Sequence, residues 1–220
     1  MDLALKLRAG MGLGMCALGA SLSLTTVQGP GSRNVAPFEG IAQAAQQHTT
    51  GNSYVLTPER KALLNTIRYA EGTWKNGSSV GYRILYGGGT FTNLERHPEK
   101  VVVKRYSSAA AGAYQFLPKT WSMAADRLEL PDFGPSSQDQ AALFLIDRRN
   151  ALEEADAGKL TPELVAKLAP EWASLPTMQE QSFYGQPVRD MNELVGFYEE
   201  NLEELRRQAS NSGPQNLRLG

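Results

Sequence analysis

Cysteine and histidine are the scarcest chemistry-bearing residues in this chain of 220. The one cysteine, Cys16, excludes an intrachain disulfide and a thiolate metal centre. The two histidines, His48 and His97, sit in no metal or nucleophile motif, so a histidine metal site and a Ser-His-Asp triad both lack their parts. Charge of either sign is not in excess either. A formal net charge of -1 gives no argument for a nucleic-acid partner or an anionic membrane surface. The triple glycine Gly87–Gly89 lacks the strand-loop-helix setting and the lysine of a phosphate loop, which excludes nucleotide binding there.

Long apolar runs are also missing. The uncharged stretch "MGLGMCALGASLSL" from Met11 to Leu24 is weakly apolar and too short for an ordinary spanning helix. It follows Lys6 and Arg8 and matches the apolar region of a signal peptide, with small-residue cleavage options at Ser21–Ser23 and near Gly29. Residues 1–25 therefore read as a signal-peptide-like segment, and export to the periplasm or cell envelope is the expectation. Asp2 partly offsets the basic start and the apolar region is Gly-rich, so a slowly released anchor is a second reading; a cytoplasmic protein with an apolar start is the alternative. Residues 26–53 form a Gly/Pro/Gln-rich linker with one short helix expected over Ile41–Gln47. Residues 209–220 read as a flexible tail. The working domain is then 54–208.

What is present in that domain is helical punctuation. Thr57-Pro58 is a capping residue followed by proline at the first helical position. The helix it opens carries Leu63, Ile67 and Glu71 on one face, and Gly72 stands where a helix ends. Tyr82–Tyr106 changes to β-branched and aromatic residues and predicts a small irregular antiparallel sheet. Pro118 opens a helix using Leu117, Trp121, Ala125 and Leu128. Ser136 and Asp139 predict a capping pair ahead of Ala142, Leu143 and Ile146. Thr161-Pro162 repeats the first signature. Pro187 precedes a last long helix with Val188, Met191, Leu194, Val195, Tyr198, Leu202 and Leu205 in helical period. The sum is an α+β fold, mainly helical, with the small sheet inserted after the first core helix.

Glu71 is the sharpest candidate for chemistry. An apolar helix face takes water from its carboxyl, and the helix C-terminus adds partial negative charge. Both keep a proton on the group near neutral pH, as a general acid requires. The plain alternative is a surface glutamate at a helix end. A two-carboxylate glycosidase needs a partner acid, yet only Glu95 and Glu99 lie between Glu71 and Asp126, both in the charged stretch "LERHPEK". Val80 stands where a hydrolytic phage lysozyme pattern would place its aspartate. A Glu71 that cleaves a glycosidic bond would then act alone, first as acid and then as base. A hydroxyl of the substrate itself can close a ring, with a large proximity advantage.

Three further stretches suit carbohydrate. "SAAAGAYQF", Ser108–Phe116, offers close backbone approach, a Tyr114 ring face and a Gln115 amide able to donate and accept; a core role for Tyr114 is the alternative. "EWASLP" and "FYGQP" put Trp172 and Tyr184 on loops, though Trp172 suits a core equally well.

Taken in order, "AEGT" (Ala70–Thr73), "GY" (Gly81-Tyr82), "GG…FT" (Gly87, Gly88, Phe91, Thr92), "HP" (His97-Pro98), "AGAYQ" (Ala111–Gln115), "DFGPSSQD" (Asp132–Asp139), "WASLP" (Trp172–Pro176) and "YGQ" (Tyr184–Gln186) resemble one family. It is the bacteriophage lambda endolysin type of lytic transglycosylase, matched over roughly Ala62–Leu205. The resemblance implies a lysozyme-like fold with a cleft between a helical lobe and the small sheet. It implies cleavage of the β-1,4 bond between N-acetylmuramic acid and N-acetylglucosamine in peptidoglycan, without water, leaving a 1,6-anhydromuramoyl end. It implies peptidoglycan glycan strands as the partner, a monomer, and neither metal nor cofactor. The family's catalytic glutamate falls on Glu71. Its sugar-contacting residues fall on Ser108, Ala111, Gly112, Tyr114 and Gln115, with Trp172, Ser174, Tyr184 and Gln186 completing the expected set. Two lips fall near Lys100–Ser107 and Leu175–Gln186. A phage-derived member would stay cytoplasmic until lysis. Hydrolysis of the same bond, or wall binding without turnover, are the rival functions. Ala113 in place of a basic residue, a shorter first lip and the extension over residues 1–53 depart from the family pattern.

Overall fold

Thr57 starts the central helix as its sequence requires. Its hydroxyl accepts the Arg60 backbone N–H at 3.2 Å, and Pro58 occupies the first turn, where no N–H is needed. The computed structural model of the protein describes residues 53–211 and the backbone of 49–50. The signal-peptide-like segment, the helix expected over Ile41–Gln47 and most of the tail lie outside these residues. Short strands β1 (Thr49–Thr50) and β2 (Ser53–Tyr54) pair antiparallel. Helix α1 follows (Pro58–Ala70), then two 3-10 turns (Lys75–Gly77 and Ser79–Arg83), strands β3 (Val102–Val103) and β4 (Ser107–Ser108), and helices α2 (Pro118–Leu128), α3 (Pro135–Arg148), α4 (Leu152–Asp156), α5 (Pro162–Leu168) and α6 (Met191–Asn211). No helix among the described residues is long and apolar enough to cross a membrane.

The core forms around α1. Ala62, Leu63, Leu64 and Ile67 are buried, against Leu194, Tyr198 and Leu202 of α6 and Leu143 and Ile146 of α3. Each such aliphatic side chain contributes about 1.5–3 kcal/mol by leaving water. Arg60 is buried too, and its guanidinium grips Asp156 in two parallel bonds of 2.7 and 2.8 Å, which ties α1 to α4. Tyr54 is held to α3 by reciprocal backbone bonds with the Gln140 side chain (2.6 and 2.9 Å).

The small, irregular antiparallel sheet expected over Tyr82–Tyr106 is present and very short, and two other expectations need correction. Tyr82 and Arg83 belong to a 3-10 turn, isolated bridges join Ile84 to Thr90 and Leu85 to Ala111, and only β3 and β4 make a ladder. Gly87 and Gly88 adopt φ values of 79° and 92°, which turn the chain instead of extending it. The Ser136–Asp139 capping pair does not form. Gly134 precedes α3 with Pro135 in its first turn, Ser137 donates to Asp132, and Asp139 is taken by two tyrosines. The last helix begins at Met191 rather than just after Pro187, because Asp190 accepts the N–H groups of Asn192 and Glu193.

Candidate active site

Glu71 is the residue at which α1 stops. Its N–H still bonds to the Ile67 carbonyl at 2.9 Å, and Gly72 then takes φ 72°, where a side chain would be strained. The chain turns away, and the carboxyl stays among packed atoms with one face partly open. Ser174 supplies its hydrogen bond: the hydroxyl donates to Oε1 at 2.7 Å. Burial pushes the Glu71 pKa up to about 6, while the Ser174 hydroxyl and backbone N–H pull it the other way. The group is thus a proton donor poised near neutrality.

The loop after Glu71 is pinned in two directions. The Thr73 hydroxyl donates to the carbonyls of Arg68 and Ala113. Gly81 packs so close to that loop that a Cβ there would lie 2.2 Å from the Thr73 carbonyl oxygen. Behind the loop lies a buried polar network. Asp139 Oδ1 accepts the hydroxyls of Tyr82 (2.8 Å) and Tyr114 (2.6 Å), and the Arg68 guanidinium lies over the Tyr82 and Trp74 rings. Burial raises the Asp139 pKa; the two hydroxyls and Arg68 oppose that rise.

The "AGAYQ" turn forms the next wall. Ala111 and Phe116 exchange backbone bonds of 3.0 and 2.9 Å. Gly112 has φ 82°, and a Cβ on it would meet Gln138 Oε1 at 2.3 Å. The fully buried Gln138 side chain holds the turn from below, accepting from the Ala113 N–H and donating to the carbonyls of Tyr82 and Phe133. His97 braces the far side between the Phe116 carbonyl and the Glu99 N–H, and burial lowers its pKa.

This geometry sorts the expected sugar-contacting residues. Tyr114 and Trp172 are each 2 % exposed and bonded inward, Trp172 through its indole N–H to the Tyr114 carbonyl at 3.2 Å. Both rings are packed in the hydrophobic core. Ala111 and Gly112 are likewise buried. Ser108 and Gln115 keep partly open side chains. Ser108 Oγ accepts the Ala110 N–H, and the Gln115 amide nitrogen donates to the Ile84 and Gly112 carbonyls, which aims the group. Ser174 is on Glu71 itself. Tyr184 is exposed with its hydroxyl on the Pro170 carbonyl, beside an exposed Phe183, and Gln186 is exposed on the same lip. Sequence reasoning missed Thr73, Asp139 and the Ser174–Glu71 bond. Ser, Thr and Asp at such spacings carry no local signal for partners 25 to 103 residues away.

Solved structures carry the same architecture. Bacteriophage lambda lysozyme complexed with a chitohexasaccharide matches with a TM-score of 0.60 at 33% identity, over 67% of this chain and 96% of that one. A second bacteriophage lambda lysozyme structure matches with a TM-score of 0.56 at 30% identity, over 69% and 96%. The endolysin of Escherichia phage lambda is 35% identical over 148 residues, 64% of this chain and 90% of the relative. The endolysin of Escherichia phage P2 is 33% identical over 148 residues, 61% and 87%. The fold is lysozyme-like, and the chain is a peptidoglycan-cleaving glycosidase of that class. The Endolysin family model matches residues 61–205, and the chain belongs to that family.

Proposed function

We propose that the protein is a lytic transglycosylase in which Glu71 is the single acid and base. The observation that carries this reading is the Glu71 carboxyl at the end of α1, its pKa raised by burial to about 6, with the Ser174 hydroxyl as its side-chain hydrogen-bond partner and no second carboxyl paired with it among the described residues. The other acids near the site are engaged elsewhere. Asp139 holds two tyrosine hydroxyls, Glu171 is paired with Arg149 at 2.8 Å, and Glu95 and Glu99 lie on exposed chain. This supports a route without a second carboxylate to activate water.

Glu71 gives its proton to the glycosidic oxygen as the bond to muramoyl C1 breaks. The carboxylate then takes the proton of the muramoyl 6-hydroxyl while that oxygen closes on C1. The nucleophile is already part of the substrate, so the second step is intramolecular. Gln115, Ser108 and the Tyr184 lip are the side chains with room to meet the glycan. Residues 54–208 are the catalytic domain in this reading, and residues 1–25 direct its export to the periplasm or cell envelope. For a phage-encoded chain, cytoplasmic storage until lysis is the rival location.

Turbidity loss of wall suspensions tests the assignment. Glu71→Gln, folded by circular dichroism, should lose at least about a hundredfold in rate. Unchanged clearing by that variant would move the chemistry to another residue.

A further inference from the structure

We propose that Ser174 is a positioning residue that gives the two oxygens of Glu71 different tasks, holding Oε1 and leaving Oε2 to carry the proton that moves. The inference rests on the transglycosylase reading and specifies how its single carboxyl works twice. Ser174 donates its one hydroxyl hydrogen to Oε1 at 2.7 Å. Oε1 then serves as an acceptor in both protonation states, and the acid proton belongs on Oε2.

In the first step Oε2–H passes its proton to the glycosidic oxygen, and the C1–O bond breaks with its electron pair on that oxygen. The new carboxylate charge is met by Ser174, whose bond strengthens once its acceptor is ionised. In the second step Oε2 takes the proton of the 6-hydroxyl as O6 bonds to C1. Glu71 ends as it began, and Ser174 holds Oε1 throughout.

Ser174 is well placed for this task. Two residues before it, Trp172 is buried and locked to the Tyr114 carbonyl. Its own carbonyl accepts the Arg189 N–H at 3.0 Å, and the Ala173 carbonyl accepts the Ser182 hydroxyl at 3.3 Å. Pro176 and Ser182 pair just beyond, at the base of the second lip. The hydroxyl is therefore fixed by a core anchor on one side and by the root of the lip on the other. The hydrogen of this hydroxyl is directed at the carboxyl, which leaves only its lone pairs for any other partner.

Ser174→Ala and Ser174→Thr separate this role from a substrate contact. Carbon-13 labelling of glutamate and NMR titration of the free protein would follow Glu71 directly. In Ser174→Ala the Glu71 midpoint should rise from about 6. On peptidoglycan, kcat should fall about tenfold or more while KM stays within about twofold, the size expected for loss of one charge-assisted bond. Ser174→Thr, which keeps the donor, should restore both. An unmoved midpoint, or a raised KM with kcat unchanged, would overturn the proposal. Should Ser174→Ala not fold, Ser174→Cys, a weaker donor of near-equal size, takes its place in the same titration. The titration needs no substrate, so its outcome is independent of whether Glu71→Gln abolishes cleavage.

Discussion

Ser174 and Glu71 are 103 residues apart in sequence and 2.7 Å apart in space. That bond joins the helix that ends at the carboxyl to the loop that carries the second lip. Much of what the protein can do follows from how firmly those two segments are held.

The raised pKa of Glu71 has a thermodynamic consequence. The native state binds this proton more tightly than the unfolded chain does, so the ionised form is the disfavoured one. As pH rises from below the ordinary 4.5 through about 6, the native state loses stability, by up to about 2 kcal/mol. Glu71→Gln removes that loss. The variant should be more stable than the parent at about pH 8 and indistinguishable from it below about pH 4, as denaturant melts at the two pH values would measure. The parent's kcat/KM should fall about tenfold per pH unit above about 6.

Gly81→Ala should damage the site from a distance. The added methyl meets the Thr73 carbonyl oxygen, a backbone atom that moves only with the loop after Glu71. Overpacking of this kind costs about 1–3 kcal/mol. The expected result is a lower melting temperature together with a lower kcat, read by calorimetry and wall clearing. Gly89→Ala is the control, since a Cβ there meets nothing within 4 Å.

Tyr114→Phe should cost stability and leave the chemistry largely intact. It removes one of two hydroxyls from the buried Asp139 carboxyl. The loss of one such bond to a buried charge is worth about 1.5–3 kcal/mol. Urea denaturation would measure it. A large rise in KM with unchanged stability would instead return Tyr114 to the role of sugar contact.

The helices were legible because their signals are local. Thr57-Pro58 and Thr161-Pro162 cap their helices as read, and Gly72 ends α1. Glu71 was legible because the same local pattern put it at the end of an apolar face. The small sheet is present, though its ladder is shorter than the β-branched run: Val101 and Val103 are exposed on a short hairpin, and glycine turns set the path. The walls of the site were read by residue type, which suggested sugar contact for Tyr114 and Trp172. Their burial is decided by Gln138, Asp139 and the Trp172–Tyr114 bond, contacts between segments that periodicity does not report.

The ends of the glycan fragments test the central claim most directly. Peptidoglycan is digested in heavy-oxygen water and the products are analysed by mass spectrometry. Glu71 acting alone predicts 1,6-anhydromuramoyl ends, one water lighter than reducing ends and free of heavy oxygen, and none from Glu71→Gln. Reducing muramic ends carrying heavy oxygen would contradict the account and make the protein a hydrolase.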